Sequence, residues 1–283
     1  MKSVVITVDS PADLPKELAE QFNISTIPLH IILDGNNYSD CVDIFPEDIF
    51  NAYAEKHILP TTSAIPIGEY EDFFKSFTDN GFAVVHLSLS SEISSTHRNA
   101  VIAAESFEDV YVVDSRHLTT SITLLALKAA EMRDNGKSAS EIAEEITKLT
   151  DYVVTSFVLD DLEFLSKGGR CSALAAFGAN VFSIKPSIDM VDGALHVSKK
   201  YRGKTNDVQI RFALDKISEY DDIDYSRLVI VSTGVEDAQV ATVKSAIEEK
   251  YTFDEIILAK AGCTITSHCG KNTLGILFMR IPK

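Results

Sequence analysis

Hydroxyl groups, one arginine and one histidine carry most of the chemistry this sequence offers, and they fall in four short segments. Thr61-Thr62-Ser63 follows Pro60 and precedes Pro66-Ile67-Gly68. It reads as a polar loop, whose hydroxyls either bond local backbone and cap the next helix or donate to a ligand. Ser88-Leu-Ser-Ser-Glu-Ile-Ser-Ser-Thr96 places six hydroxyls, Ser94, Ser95 and Thr96 among them, after the apolar run Phe82–Leu87. Where a strand hands over to a helix, free amides attract carboxylate or phosphate, so the segment reads as a cap or an anion site. Lys167-Gly168-Gly169-Arg170 follows the helical run Leu162–Leu165. A glycine C-cap explains the glycines; Arg170 either pairs with a local acid or offers its planar fork to an anion. Cys263-Thr-Ile-Thr-Ser-His-Cys-Gly270 reads as a polar loop between the last two strands, whose His268 is either plain surface polarity or, from its strand-end position, a hydrogen-bond partner for an anion.

Other chemistries find little support. Cys41, Cys171, Cys263 and Cys269 show no CxxC spacing, and the adjacent His268-Cys269 pair is poor for a metal, so they read as reduced, structural thiols with no metal expected. Gly270-Lys271-Asn272 lacks the spaced glycine of a phosphate loop, and no G-x-S-x-G elbow is present. A formal net charge of −16 argues against nucleic acid as a partner. The one basic island, Lys199-Lys200-Tyr201-Arg202-Gly203-Lys204, is a solvated turn or a docking patch for an acidic partner. No uncharged apolar run reaches the roughly 18 residues of a membrane span, and the N-terminus reaches an acid too early for a signal peptide. A soluble, cytoplasmic protein is expected.

Positioning these groups calls for alternating elements. Strands are predicted at Ser3–Val8, Ile27–Leu33, Phe82–Ser88, Val110–Asp114, Tyr152–Val158, Arg227–Thr233, Glu255–Ala261 and Leu274–Arg280. Helical spacing appears at Tyr70, Phe73, Phe74 and Phe77 and at Val240, Val243 and Ile247. Ser10-Pro11 and Ser138-Ala-Ser-Glu141 read as helix starts. Asp192-Gly193 between two β-rich runs predicts a hairpin with a type I′ turn. The change from βα alternation to a hairpin puts a boundary near residue 150. The expectation is an α/β protein of two docked domains: a largely parallel one over 1–150 and a mixed one with an antiparallel hairpin over 151–283, with a ligand cleft between them.

Taken in order, these pieces resemble the DegV family: Asp9-Ser10 with Asp13-Leu14, Thr62-Ser63, Ser90-Ser91 with Ser94 and Thr96, Asp114-Ser115, Leu165-Ser-Lys-Gly-Gly-Arg170, Lys185-Pro186, Arg202, and His268 with Gly270. The resemblance implies a two-domain DegV-like fold that buries one long-chain fatty acid and needs no cofactor. It implies a carrier, not a catalyst, which presents its carboxylate to a separate ATP-dependent fatty-acid kinase for phospholipid synthesis. By motif match Thr62 and Ser94 would take the carboxylate, with Arg170 and His268 in the surrounding hydrogen-bond network; Ser63, Ser95 and Thr96 are expected to line the same site. Arg202, with Lys200 and Lys204, faces the kinase. Ser95 replaces the glycine of a usual Ser-Gly-Thr, and His97 a usual aromatic. Ser172–Phe182, mixed small and large apolar groups, would wall the tail tunnel or form an ordinary core helix. The rival class is a phosphotransferase or hydrolase acting on a small anion in the same cleft.

Overall fold

The computed structural model describes residues 2–171 and 184–282. The Ser172–Phe182 tunnel wall lies outside these residues. Thirteen strands and ten α-helices are described, in the order β1 (Val4–Asp9), α1 (Lys16–Phe22), β2 (Ile24–Ile27), β3 (His30–Leu33), β4 (Asn36–Ser39), α2 (Pro46–Lys56), β5 (Thr61–Ser63), α3 (Ile67–Thr78), β6 (Ala83–Ser88), α4 (Thr96–Ala104), β7 (Val110–Asp114), α5 (Thr120–Asp134), α6 (Ala139–Leu149), β8 (Val153–Val158), α7 (Glu163–Gly168), β9 (Ile184–Val191), β10 (Ala194–Arg202), α8 (Thr205–Ser218), β11 (Ile223–Thr233), α9 (Asp237–Glu248), β12 (Glu255–Lys260), α10 (Cys263–Cys269) and β13 (Thr273–Arg280).

Three sheets result. One is four-stranded and wholly parallel, in the order β2-β1-β6-β7. A second is six-stranded, in the order β10-β9-β8-β13-β11-β12, and only its β11–β12 pair is parallel. The third, β4-β3-β5, is small and antiparallel. The fold is α/β as expected, and the parallel and mixed sheets draw on residues before and after 150 respectively. The small antiparallel sheet was not anticipated. Pro28 breaks the predicted Ile27–Leu33 strand, because it has no N–H for a ladder, and the chain turns into a second sheet after it.

Period-two alternation assigns the faces of the six-stranded sheet. Leu274, Ile276 and Phe278 of β13 pack with Phe212, Ile217 and Val243 of α8 and α9. Leu277 and Met279 face the other way, into a core shared with Ile6, Val8 and Leu87 of the parallel sheet. Within that shared core lies α5, whose Ile122, Leu124, Leu125 and Leu127 are all buried. A helix apolar on every side must be enclosed, and here both sheets enclose it.

Local signals mostly act as read. Ser138 Oγ accepts from the Glu141 N–H while Glu141 accepts from the Ser138 N–H, so the capping box at α6 is complete. Asp192 and Gly193 take φ of 50° and 83°, as a type I′ turn between β9 and β10 demands. Ser10 is different: it starts a single 3₁₀ turn, and its hydroxyl is drawn away from the helix start to donate to Asp40 (2.8 Å) and accept from the Leu29 N–H (3.0 Å).

Candidate functional site

Two segments read as loops are regular elements, and both matter to the site. Thr61–Ser63 is β5, with Thr62 opposite Ile31 on β3. The Cys263–Cys269 stretch is α10, not a loop, and ends on Gly270 at φ 68°. Its Thr-Ile-Thr-Ser sequence has weak intrinsic helicity. Tertiary contacts supply the rest: Asp40 accepts the N–H groups of Cys263 (2.7 Å) and Thr264 (3.3 Å), and Asp13 accepts that of Gly262 (2.7 Å).

These elements converge on a cavity of about 100 Å³. One part of its wall is polar: Thr62 and Ser63 from β5, Ser94 and Ser95 from the turn before α4, Arg170 after α7, and His268 from α10. Apart from Thr264, the remainder is apolar, including Leu89, Ile93, Leu118, Phe157, Leu195 and Ile265. Leu118, Phe157, Ile265 and Cys269 also line a second, smaller cavity of about 20 Å³, so they form a neck between the two.

The polar arc is wired with specific bonds. Thr62 Oγ1 lies 2.9 Å from His268 Nε2. Burial first, then the positive charge of Arg170, holds His268 down at a pKa of about 4, so its ring is neutral at pH 7. His268 Nδ1 is shut off from solvent and has no hydrogen-bond partner among the described residues. It sits against Gly168, where an added Cβ would stand 2.3 Å from it. When Nε2–H donates to Thr62, the Thr62 O–H is released to donate into the cavity. Ser94 Oγ shares a hydrogen bond with Thr96 Oγ1 (2.7 Å) and accepts from the Thr96 N–H (3.1 Å).

Six of the seven expected ligand residues therefore line one cavity. Thr96 does not; it is fully buried behind Ser94, which it orients. Arg170 is exposed at the rim, donates to the Gly168 carbonyl (2.5 Å) and enters no ion pair among the described residues, which leaves its charge for an anion. Gly169 is the C-cap of α7 with φ 70°, as read from the sequence. Two departures from the family pattern part company here: Ser95 lines the cavity, whereas His97 turns to Ser88 (2.8 Å) on β6. Asn272, at φ 62°, donates to Asp160 (3.0 Å). Arg202, Lys200 and Lys204 are exposed at the end of β10 and the start of α8.

The apolar wall went largely unread. Phe157 had a usable signal, since alternation along β8 points it into the shared core. Leu118 had none: it lies in the turn between Arg116 and Thr119, both with φ above 50°, a backbone that non-glycine residues rarely adopt. Cys263, His268 and Cys269, the three residues closest in sequence to a metal-ligand set, go to different partners. His268 bonds Thr62 and Cys269 lines the neck, while Cys263 lies beside Asp40 and Cys41.

A largely apolar space with a neutral histidine, four hydroxyls and one arginine at one end suits an amphiphile with an anionic head. Comparison with known proteins points the same way. A family model described as "Uncharacterised protein, DegV family" matches residues 3–280. A DegV domain-containing protein of Clostridium acetobutylicum is 30% identical over 281 residues, covering 99% of each chain. Among solved structures, a DegV lipid-binding protein from Thermotoga maritima superposes with a TM-score of 0.86 at 28% identity, covering 100% of both chains. A DegV family protein from Thermus thermophilus, described for its fatty-acid binding, gives 0.90 at 25% identity over 99% of this chain and 100% of that one. No helix among the described residues is long and apolar enough to cross a membrane. On the match across residues 3–280 and the likeness over 99% of a curated relative, this chain belongs to the DegV family.

Proposed function

We propose that this protein carries one long-chain fatty acid between a domain of residues 1–150 and a domain of residues 151–283, and presents the carboxylate to a separate ATP-dependent kinase in the cytoplasm. The observation that carries this reading is the division of one cavity into a polar end and an apolar neck. Thr62 and Ser94 donate to the carboxylate, Arg170 neutralises it from the rim, and neutral His268 orients Thr62. The tail runs past Leu118, Phe157, Ile265 and Cys269. Each buried methylene contributes about 0.8 kcal/mol, against about 1.5–3 kcal/mol for a charge-assisted hydrogen bond, so the tail dominates affinity and the head sets orientation. The one histidine lining the cavity beside these hydroxyls is a weak base, since burial holds its pKa at about 4. That supports a carrier over a phosphotransferase or hydrolase. Phosphorylation then falls to the kinase, which docks on Arg202, Lys200 and Lys204 and feeds the acyl phosphate to phospholipid synthesis.

Denaturing mass spectrometry of the purified protein tests the first part. One fatty acid per chain is expected, and Thr62→Ala with Ser94→Ala should exchange it faster at unchanged circular dichroism. A lipid-free protein that also takes up no added fatty acid would remove the carrier reading.

A further inference from the structure

A broad open cleft of about 640 Å³ lies apart from the cavity and shares none of its described lining residues; Ser10, Asp13, Asp40, Cys41, Lys260 and Gly262 are among those that form it. One element joins the two. The N-cap of α10, Gly262, borders the cleft, while Thr264, Ile265, His268 and Cys269 of the same helix line the cavity.

At that end of α10 two free thiols meet. Cys41 is exposed and Cys263 is buried. Their sulfurs and an Asp40 carboxylate oxygen all lie within 4.8 Å of one another. The Cys41 sulfur rests on the backbone of Gly262, where an added Cβ would stand 3.0 Å from it. Asp40 is already committed: its two oxygens accept from the N–H groups of Cys263 and Thr264 and from the hydroxyls of Thr264 (2.6 Å) and Ser10 (2.8 Å). A cation at this spot would compete for the Asp40 oxygens with the bonds that hold the start of α10. Besides a weak bond from Cys263 Sγ to the Ile44 carbonyl (3.3 Å), the Cys263 thiol hydrogen-bonds with Cys41, and that bond, with burial, pushes its pKa up and keeps it a protonated thiol.

We propose that Cys41 and Cys263 form a redox-modification site, a dithiol that a hydroperoxide converts to a disulfide and that thereby pins the head of α10 against the turn after β4. In the first step the Cys41 sulfur takes oxygen from the peroxide, giving a sulfenic acid and leaving an alcohol or water. In the second, the Cys263 sulfur attacks it; the S–O bond breaks, the S–S bond forms, and the departing hydroxide leaves as water with the Cys263 proton. Exposure selects Cys41 as the sulfur that meets the oxidant. A reducing dithiol restores both thiols. The link to ligand exchange rests on the carrier reading: with α10 tethered, the wall that carries Ile265, His268 and Cys269 yields less readily, and a bound fatty acid leaves more slowly.

The full chain, loaded with oleate and treated with a small excess of hydrogen peroxide, is mapped by non-reducing peptide mass spectrometry while oleate release is followed. A Cys41–Cys263 linked peptide is expected, with Cys171 and Cys269 as thiols, no linkage in Cys41→Ser, and release several-fold slower until dithiothreitol is added. Cys41 over-oxidised with Cys263 still a thiol would overturn the dithiol. The linked peptide with unchanged release would overturn the coupling. Stoichiometric zinc retained by reduced protein and lost in Cys41→Ser would replace the dithiol with a metal site. A protein that takes up no oleate in either state fails as a carrier, and the peptide map still decides the thiol pair.

Discussion

Gly168→Ala isolates the contact that sets His268. Gly168 is the last residue of α7, so helix propensity alone makes alanine better by up to about 1 kcal/mol. Yet an added methyl would stand 2.3 Å from His268 Nδ1 and 3.1 Å from Cε1, too close for any real pair of atoms. Overpacking costs about 1–3 kcal/mol. Displacing the ring also breaks its 2.9 Å bond to Thr62, a further 0.5–1.5 kcal/mol by the usual range for such bonds. The overpacking and hydrogen-bond costs outweigh the propensity gain, for a net loss of about 0.5–4.5 kcal/mol. Gly169→Ala is the control: it meets nothing within 4 Å but must hold φ 70°, which costs about 1–2 kcal/mol without touching His268. Urea unfolding and oleate release together separate them, since both variants lose stability and only Gly168→Ala releases lipid faster. A double-mutant cycle with His268→Ala decides the cause, because the alanine at 168 should then cost nothing. If Gly168→Ala destabilises equally with and without His268, or stabilises the protein, the steric argument is wrong.

Stability should peak near pH 6.5. Burial holds His117 and His268 at about 4, so each is neutral when folded; that contribution is full above the unfolded value of 6.5 and is lost as pH falls towards 4. Burial raises Asp13 to about 8, so its contribution is full below the unfolded value of 3.8 and is lost as pH rises towards 8. From His117, His268 and Asp13, unfolding takes up about one proton net between pH 4 and 6.5 and releases about one between 6.5 and 8, a slope of about 1.4 kcal/mol per pH unit on either side, and His97, which burial also holds below its usual value, steepens the acid side. Urea midpoints that rise steadily through pH 8 would contradict this. Arg170→Lys keeps the charge and loses the fork, so oleate should bind at unchanged stoichiometry but exchange faster; normal exchange would deny bidentate recognition. Arg202→Glu should retain oleate and lose phosphorylation by the kinase, and equal rates at subsaturating carrier would clear Arg202 of a docking role.

What the sequence disclosed follows from how local each signal is. The capping box at Ser138 and the Asp192-Gly193 turn were legible because neighbours a few residues apart make all the bonds. The polar arc was legible because hydroxyls cluster in sequence at Thr61–Ser63 and Ser88–Thr96. The helix α10 was not, since its poor intrinsic propensity is overruled by Asp40 and Asp13, more than 200 residues earlier. Ser10 was misread for the same reason, its hydroxyl being claimed by Asp40 across the fold. Thr96 carries the family motif yet sits behind the cavity wall, a distinction that spacing alone does not make.

The bonds that close the head of the site join the two ends of the chain: Asp13 to Gly262 across 249 positions, Asp40 to Cys263 across 223, and Thr62 to His268 across 206. Loop-closure entropy must be met before any of these contacts returns stability, so their formation belongs late in folding. Strands β1 to β7 and the helices around them can assemble first. Until residues 262–270 arrive and dock, however, Leu118 and Phe157 face an open seam where an apolar tail has no fixed depth and a carboxylate no fixed partner. On the carrier reading, a fatty acid present at that stage would meet an apolar seam before the groups that fix its head are in place, and would be enclosed by helix α10 as it docks.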